Sequence, residues 1–126
     1  MSPARQKADR REIRRRAERR GHWSEYLAAA FLLLKGYRIL AMRYKTKSGE
    51  IDLIARKRNL VAFVEVKARR EQGLALDAVG YETQKRIHSA SEQWLSRRRD
   101  AHLLSLRYDV IAVLPGRFPK HFQDVF

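Results

Sequence analysis

The chain has 126 residues, with 28 Lys or Arg, 14 Asp or Glu and no cysteine, and its formal net charge is +14. This length suits one domain, and the lack of cysteine excludes both a disulfide framework and a thiolate zinc site. The longest apolar run, Tyr26 to Leu34, is too short to span a bilayer, and the basic start lacks the apolar core of a signal peptide. We therefore expect a cytoplasmic protein with no membrane segment. The positive charge favours nucleic acid as partner over a merely solvated basic surface.

Residues 1–20 are dominated by charge, with nine Lys or Arg and three acids between Arg5 and Arg20. We treat this stretch as a basic N-terminal arm, separate from a domain over residues 21–126. Two interpretations of the arm stand side by side. It is either a mobile or partly helical segment that contacts phosphates, or a disordered solubilising tail.

Gly21 ends the charged run, and residues 22–35 are predicted to form a helix that stops at Gly36. Ser24 is a candidate N-cap. Glu25 either stabilises the positive helix end or supplies an acidic group to a site, and the local pattern favours the first interpretation. Three- and four-residue spacing predicts one buried stripe, formed by Trp23, Tyr26, Leu27, Ala30, Phe31 and Leu34.

Three strands are predicted next, over residues 37–43, 49–55 and 61–67. The last two form a hairpin if Arg58 and Asn59 make a two-residue turn. Facing residues then have numbers that sum to 117, so Asp52 lies opposite Glu65. Opposed side chains share one face of a sheet, with Cβ atoms roughly 4.5–5.5 Å apart. A three-residue loop would instead place the two acids on opposite faces.

In the two-residue register, Glu50 lies opposite Lys67, so three carboxylates and a lysine crowd the open end of one face. Opposed like charges destabilise a hairpin, which points to a bound divalent cation such as Mg²⁺. The alternative is an exposed network of cross-strand salt bridges. The other face is predicted to be apolar and to pack inward, with Ile51, Leu53, Ala55, Ala62, Val64 and Val66.

A mostly helical segment follows over residues 74–100, and a last strand is predicted over residues 106–114. The aromatic tail, residues 118–126, either covers a sheet edge or contacts a second subunit. A helix between the third and fourth strands permits a crossover connection. The predicted fold class is therefore α/β, a single domain with a mixed central sheet flanked by helices. The helical stripe consists of Val79, Ile87, Ala90, Trp94 and Leu95.

Asp52, followed thirteen positions later by Glu65-Val66-Lys67, resembles the active-site signature of the PD-(D/E)xK nuclease superfamily. The wider pattern is similar to the YraN-like family of predicted endonucleases, related in fold to archaeal Holliday junction resolvases. The resemblance covers residues 21–114, and Ile51 stands where the superfamily name implies Pro. The matching segments are Glu25 with Ala28, Gly36-Tyr37, Gly49 to Ala55, Phe63 to Lys67, and Arg107 to Ile111.

The resemblance implies a restriction-endonuclease-like αβββαβ core. It also implies a metal-dependent endonuclease that hydrolyses phosphodiester bonds. The expected substrate is DNA, including branched DNA. Asp52, Glu65 and the carbonyl of Val66 would hold Mg²⁺ or Mn²⁺, with Lys67 and Glu25 as further catalytic residues. A protein that binds structured DNA or RNA without cutting it is the alternative. Because two cuts need two sites, a homodimer is a further expectation. The residues expected to contact the nucleic-acid backbone are Lys45, Lys47, Arg69 and Arg70.

Overall fold

The computed structural model describes residues 3–68 and 79–126. It has the predicted αβββαβ order and adds a short fifth strand, and together the elements form one α/β domain. In chain order the elements are α1 (Pro3–Leu34), β1 (Arg38–Lys45), β2 (Glu50–Lys57), β3 (Leu60–Ala68), α2 (Tyr81–Ser96), a 3₁₀ helix (Ala101–Leu103), β4 (Ser105–Val113) and β5 (Lys120–Phe122). Within these described residues, no helix is long and apolar enough to cross a membrane.

The five strands form one mixed sheet in the order β1-β2-β3-β4-β5. β3 and β4 are parallel, and α2 lies in the connection between them, as the crossover rule requires. The other neighbouring strands pair antiparallel. β5, which the sequence pattern did not predict as a strand, pairs with β4, so part of the aromatic tail covers a sheet edge.

The β2–β3 hairpin has the predicted register. Leu53 pairs with Val64 and Lys57 with Leu60, so the numbers of facing residues sum to 117. Arg58 adopts a left-handed backbone with a φ of 57°. That conformation lets the two-residue turn close without a glycine.

The predicted inward face is confirmed for five of its six residues, which pack under α1 with Ala28 and Leu32 of that helix. These five are Leu53, Ala55, Ala62, Val64 and Val66. The opposite face is not open to solvent beyond its charged end, because helices cover both faces of the sheet. A second cluster packs under α2 on the face expected to be charged, and it contains Ile51, Ile54, Val61, Phe63, Ile87, Ala90 and Trp94.

Ile51 lies on the α2 face, although the hairpin pattern placed it with Leu53. The neighbouring strand changes face at the same level. Ile51 pairs with Tyr44, which packs with the α2 cluster, whereas Leu53 pairs with Met42, which packs with the α1 cluster. Arg43, which lies between Met42 and Tyr44 on β1, has a φ of 50°. This left-handed residue interrupts the regular alternation of side chains along the strand.

Helix α1 begins at Pro3 and continues through Gly21, so the predicted start at residue 22 is wrong. A glycine costs a helix only about 1 kcal/mol, and the flanking Arg, Ala and Glu residues are good helix formers. Ser24 is therefore a buried interior residue and not an N-cap. Glu25 lies too far from the helix start to stabilise its positive end. The separation of residues 1–20 from a domain over 21–126 stays a prediction.

The buried face of α1 consists of small or medium-sized side chains, and the predicted stripe is wrong. Trp23 is 65% exposed, Tyr26 51% and Leu34 86%. Small side chains let the helix backbone lie close to the sheet, so the large ones remain outside. Among the α1 side chains that the structure describes, the buried ones are Ser24, Ala28, Ala29 and Leu32. The predicted α2 stripe is confirmed at Ile87, Ala90 and Trp94, and Gly36, with a φ of 92°, follows the end of α1 as expected.

A buried polar cluster fastens the C-terminal tail to the sheet. The fully buried carboxylate of Asp109, on β4, accepts hydrogen bonds from Arg107 Nε at 2.9 Å and from the backbone amide of Asp124 at 2.9 Å. His121 Nε2 lies 2.7 Å from the same carboxylate. Burial alone would raise the pKa of Asp109, but the hydrogen bonds from His121 and Arg107 hold that pKa below its usual value. These polar residues therefore stabilise the fold at the β4–β5 edge.

Candidate active site

The site lies where the start of β2 meets the end of β3, since the two strands run antiparallel. Regular pairing of the hairpin reaches Leu53 and Val64. One residue further, the side chain of Asp52 crosses to the partner strand, and its Oδ2 accepts a hydrogen bond of 2.8 Å from the amide of Val66. This bond holds the Asp52 carboxyl beside Glu65, with which it also forms a side-chain hydrogen bond.

The surroundings of the Asp52 carboxyl favour its neutral form. Burial raises the pKa of Asp52 from 3.8 to about 8, with contributions from the negative charges of Glu65 and Glu25 and from a hydrogen bond with Glu65. The hydrogen bond from the Val66 amide lowers the pKa of Asp52, but burial and the neighbouring charges raise it by more. Perturbed carboxyl groups of this kind cluster at functional sites.

Lys67 is the basic member of the group. Its Nζ lies 3.0 Å from Glu65 Oε1, and both side chains are largely buried. The two residues are separated by one position on β3, so their side chains leave the strand on the same side. Among the described residues, no basic side chain forms an ion pair with Asp52.

Glu25 approaches the site from α1. Its Oε2 accepts a hydrogen bond of 2.9 Å from Arg43, the left-handed residue of β1. Its negative charge contributes to the raised pKa of Asp52. The structure thus brings Glu25 near the carboxyl pair, with an arginine holding it in place.

A small cleft of about 210 Å³ opens beside Glu65 and Lys67 on the α2 side. Sequence reasoning missed two of its residues, Thr83 and Arg86, because nothing in the pattern fixed which face of α2 meets the hairpin. Their spacing of three residues is the helical signal that places them on one face. The cleft is lined by Glu50, Glu65, Lys67, Thr83, Arg86 and Ile87.

Gly49 determines how closely α2 approaches this cleft. A Cβ at Gly49 would overlap the carbonyl oxygen of Arg86 and lie 2.7 Å from its carbonyl carbon. Ser89, one helical turn further along, donates a hydrogen bond of 2.7 Å to Ser48. The turn before β2 therefore rests directly on the helix backbone, which positions Arg86 at the cleft.

The residues expected to contact nucleic acid have different outcomes. Lys45 and Lys47 are exposed at the β1–β2 turn, and Lys45 pairs across the strands with Glu50. Arg69 and Arg70 lie outside the described residues.

The donor set suits a hard divalent cation. Within residues 3–68 and 79–126, no group of three His, Asp or Glu side chains is arranged to hold a metal ion. Mg²⁺ nevertheless commonly binds through one or two carboxylates and keeps several waters. An ionised Asp52 would repel the neighbouring Glu65, and a divalent cation bound between the two carboxylates relieves that repulsion.

The model for the uncharacterised protein family UPF0102 matches residues 24–113. A UPF0102 protein of Agrobacterium fabrum is 65% identical over 113 residues, which cover 90% of this chain and 93% of the relative. A UPF0102 protein of Rhizobium etli is 60% identical over 114 residues, with 90% and 93% covered. A UPF0102 protein of Mesorhizobium japonicum is 57% identical over 113 residues, with 90% of each chain covered. The matched residues include every member of the candidate site.

Proposed function

This chain belongs to the uncharacterised protein family UPF0102, and we propose that it is a metal-dependent endonuclease that hydrolyses phosphodiester bonds, with DNA as the expected substrate. The observation that carries the proposal is the convergence of Asp52, Glu65 and Lys67 at one end of the β2–β3 hairpin. Two carboxyls and a lysine, with one carboxyl strongly perturbed, form a set suited to metal-assisted hydrolysis.

Asp52 and Glu65, together with the carbonyl of Val66, would hold Mg²⁺ or Mn²⁺. When bound, such an ion polarises a phosphoryl oxygen and lowers the pKa of a coordinated water. The Val66 amide keeps the Asp52 carboxyl turned toward Glu65 through its 2.8 Å hydrogen bond. The protein therefore supplies a prearranged pair of oxygen ligands before any cation binds.

Lys67 would act on the phosphate or on the attacking water. Its ammonium group lies 3.0 Å from Glu65, so it is already oriented toward the carboxyl pair. A compact ammonium stabilises developing negative charge on the phosphate and donates hydrogen bonds that orient an attacking water. Glu25, held by Arg43, would support the site from the α1 side.

The basic surface would provide affinity for the backbone of the substrate. Lys45 and Lys47 are exposed on the turn that leads into β2, close in sequence to Asp52. The formal net charge of +14 favours binding of a polyanion irrespective of its sequence. Phosphate contacts of this kind position a nucleic acid without reading its bases.

The proposal is tested by cleavage of a labelled panel with Mg²⁺ or Mn²⁺. The panel contains a four-way junction, a flap, a single strand, a linear duplex and an RNA hairpin. We expect metal-dependent cutting that Glu65→Gln abolishes and that Lys67→Ala slows by about 10²–10⁴-fold, as for a positioned proton-transfer group. Glu92→Gln, at an exposed carboxylate on α2 away from the site, is the matched control. Binding of the panel without cutting under either metal would instead favour a non-catalytic nucleic-acid-binding protein.

A further inference from the structure

We propose that an apolar groove beside the candidate site binds unpaired bases, so that single-stranded DNA is the substrate class of the nuclease. This inference rests on the proposed function. The groove has a volume of about 810 Å³ and lies between α1 and the β4–β5 loop. It is lined by Ser24, Leu27, Ala68, Val113, Leu114, Pro115, Gly116, Arg117, Phe118 and Pro119.

The groove adjoins the candidate site at two points. Ser24 immediately precedes Glu25 on α1, and Ala68 immediately follows Lys67 at the end of β3. The groove and the candidate site therefore share the end of β3 and one turn of α1. A nucleotide suits a charged site beside an apolar groove, since its phosphate is charged and its base is largely apolar on both faces.

One exposed aromatic side chain lines the groove, since Phe118 of the β4–β5 loop is 84% exposed. Trp23 and Tyr26, on the same stretch of α1 as the lining residues Ser24 and Leu27, are 65% and 51% exposed. Trp23 lies one helical turn before Leu27, a lining residue, and so on the same face of α1. Exposed apolar patches of this kind mark binding surfaces. Bases stack on aromatic rings irrespective of their identity.

Positive charge accompanies these aromatic rings. Arg117 lines the groove next to Phe118, and the Arg43 guanidinium lies 5.8 Å from the centroid of the Tyr26 ring. Together with the net charge of +14, this arrangement favours an occupant that carries both rings and phosphates. The bases of an intact duplex are already paired and stacked, so only unpaired bases can enter the groove. A single-stranded nucleic acid meets both conditions, and the proposed function makes DNA the expected one.

The test is binding by the full-length protein, without added divalent cation, to a fluorescent single strand of about a dozen nucleotides and to a duplex of the same length. Phe118→Ala removes the exposed aromatic ring of the groove, and Leu34→Ala removes a similarly exposed apolar side chain at the end of α1, outside the groove. We expect Phe118→Ala to weaken single-strand binding by roughly tenfold to a hundredfold, with duplex binding changed less than about twofold. Leu34→Ala should change neither affinity.

A strand with abasic sites provides a second measurement that does not depend on the variant. It should bind the wild type as weakly as the intact strand binds Phe118→Ala, and the variant should not discriminate between the two strands. Equal losses for single strand and duplex, or no loss, would overturn the proposal. So would a change of oligomeric state in Phe118→Ala, seen by light scattering, with single-strand affinity intact, because a second copy would then occupy the groove.

The two proposals fail separately in this design. Normal single-strand binding by Phe118→Ala, combined with cutting that requires Asp52, would overturn the groove and leave the nuclease standing. Selective loss of single-strand binding, with no cutting under any metal, would support the groove and contradict the nuclease.

Discussion

Asp52→Asn offers a test of the site that needs no substrate. The substitution keeps the size of the side chain and an oxygen that accepts the hydrogen bond from the Val66 amide. It removes the carboxyl group whose ionisation the folded protein opposes. The wild type and the variant should therefore differ in how stability depends on pH.

The direction follows from the raised pKa. Asp52 has a pKa of about 8 in the folded protein, against 3.8 ordinarily, so between these values the folded state binds more protons than the unfolded state. The free energy of unfolding then decreases as the pH rises through this window. The stabilising contribution is fully present below about pH 4 and lost above about pH 8. One pKa unit corresponds to about 1.4 kcal/mol, so we expect a loss of several kcal/mol that Asp52→Asn does not suffer.

The assay is urea unfolding of both proteins between about pH 4 and 8 in the presence of a chelator. We expect the stability of Asp52→Asn, relative to the wild type, to increase steadily with pH. Asp100→Asn is the control. Since hydrogen bonding to Arg56 lowers the pKa of Asp100, that residue is ionised in both states above about pH 5, and from there to pH 8 its variant should show no such trend. If the difference in free energy of unfolding between the wild type and Asp52→Asn does not change with pH, the reasoning is refuted.

Three further predictions concern metal binding, the approach of α2 and the tail. Mn²⁺ should raise the melting temperature of the wild type more at pH 8 than at pH 6, because binding requires ionised ligands, and should not affect Asp52→Asn in thermal scans. Gly49→Ala should cost about 1–3 kcal/mol in urea unfolding, because its Cβ would overlap the Arg86 backbone; an unchanged midpoint would contradict this contact. Asp109→Asn should lower the free energy of unfolding by about 3–5 kcal/mol at pH 7 and make it depend less on pH in acid. The reason is that ionised Asp109 stabilises the fold until the pH falls through its lowered pKa. Acid unfolding of the variant at the same pH as the wild type would contradict this.

The hairpin could be predicted from sequence because its information is local. Two short apolar runs and a two-residue turn fix which residues face each other, and Asp52 and Glu65 meet accordingly. The faces of the sheet were harder to assign. Ile51 lies on the other face of the sheet, at the level of the left-handed Arg43. Arginine rarely adopts a positive φ, so the sequence does not predict this conformation.

The first helix shows a second limit of sequence reasoning. Periodicity indicated where the large apolar residues of α1 fall, but not whether they pack against the sheet. The helix instead buries Ala28 and Leu32 and leaves Trp23 and Tyr26 exposed. The close approach of the helix to the sheet therefore decides which residues are buried, and the size of the apolar side chains does not. The position of Arg86 could not be predicted either, because it depends on the docking of α2 against Gly49.

The most direct measurement of the central claim is the cleavage rate with Mn²⁺ for the wild type and Asp52→Asn, purified in parallel, on the best substrate of the panel. The account predicts cutting by the wild type that disappears with chelator and falls to background in Asp52→Asn, while both proteins stay folded and bind the substrate. Cutting by Asp52→Asn at the wild-type rate would contradict the assignment of the site.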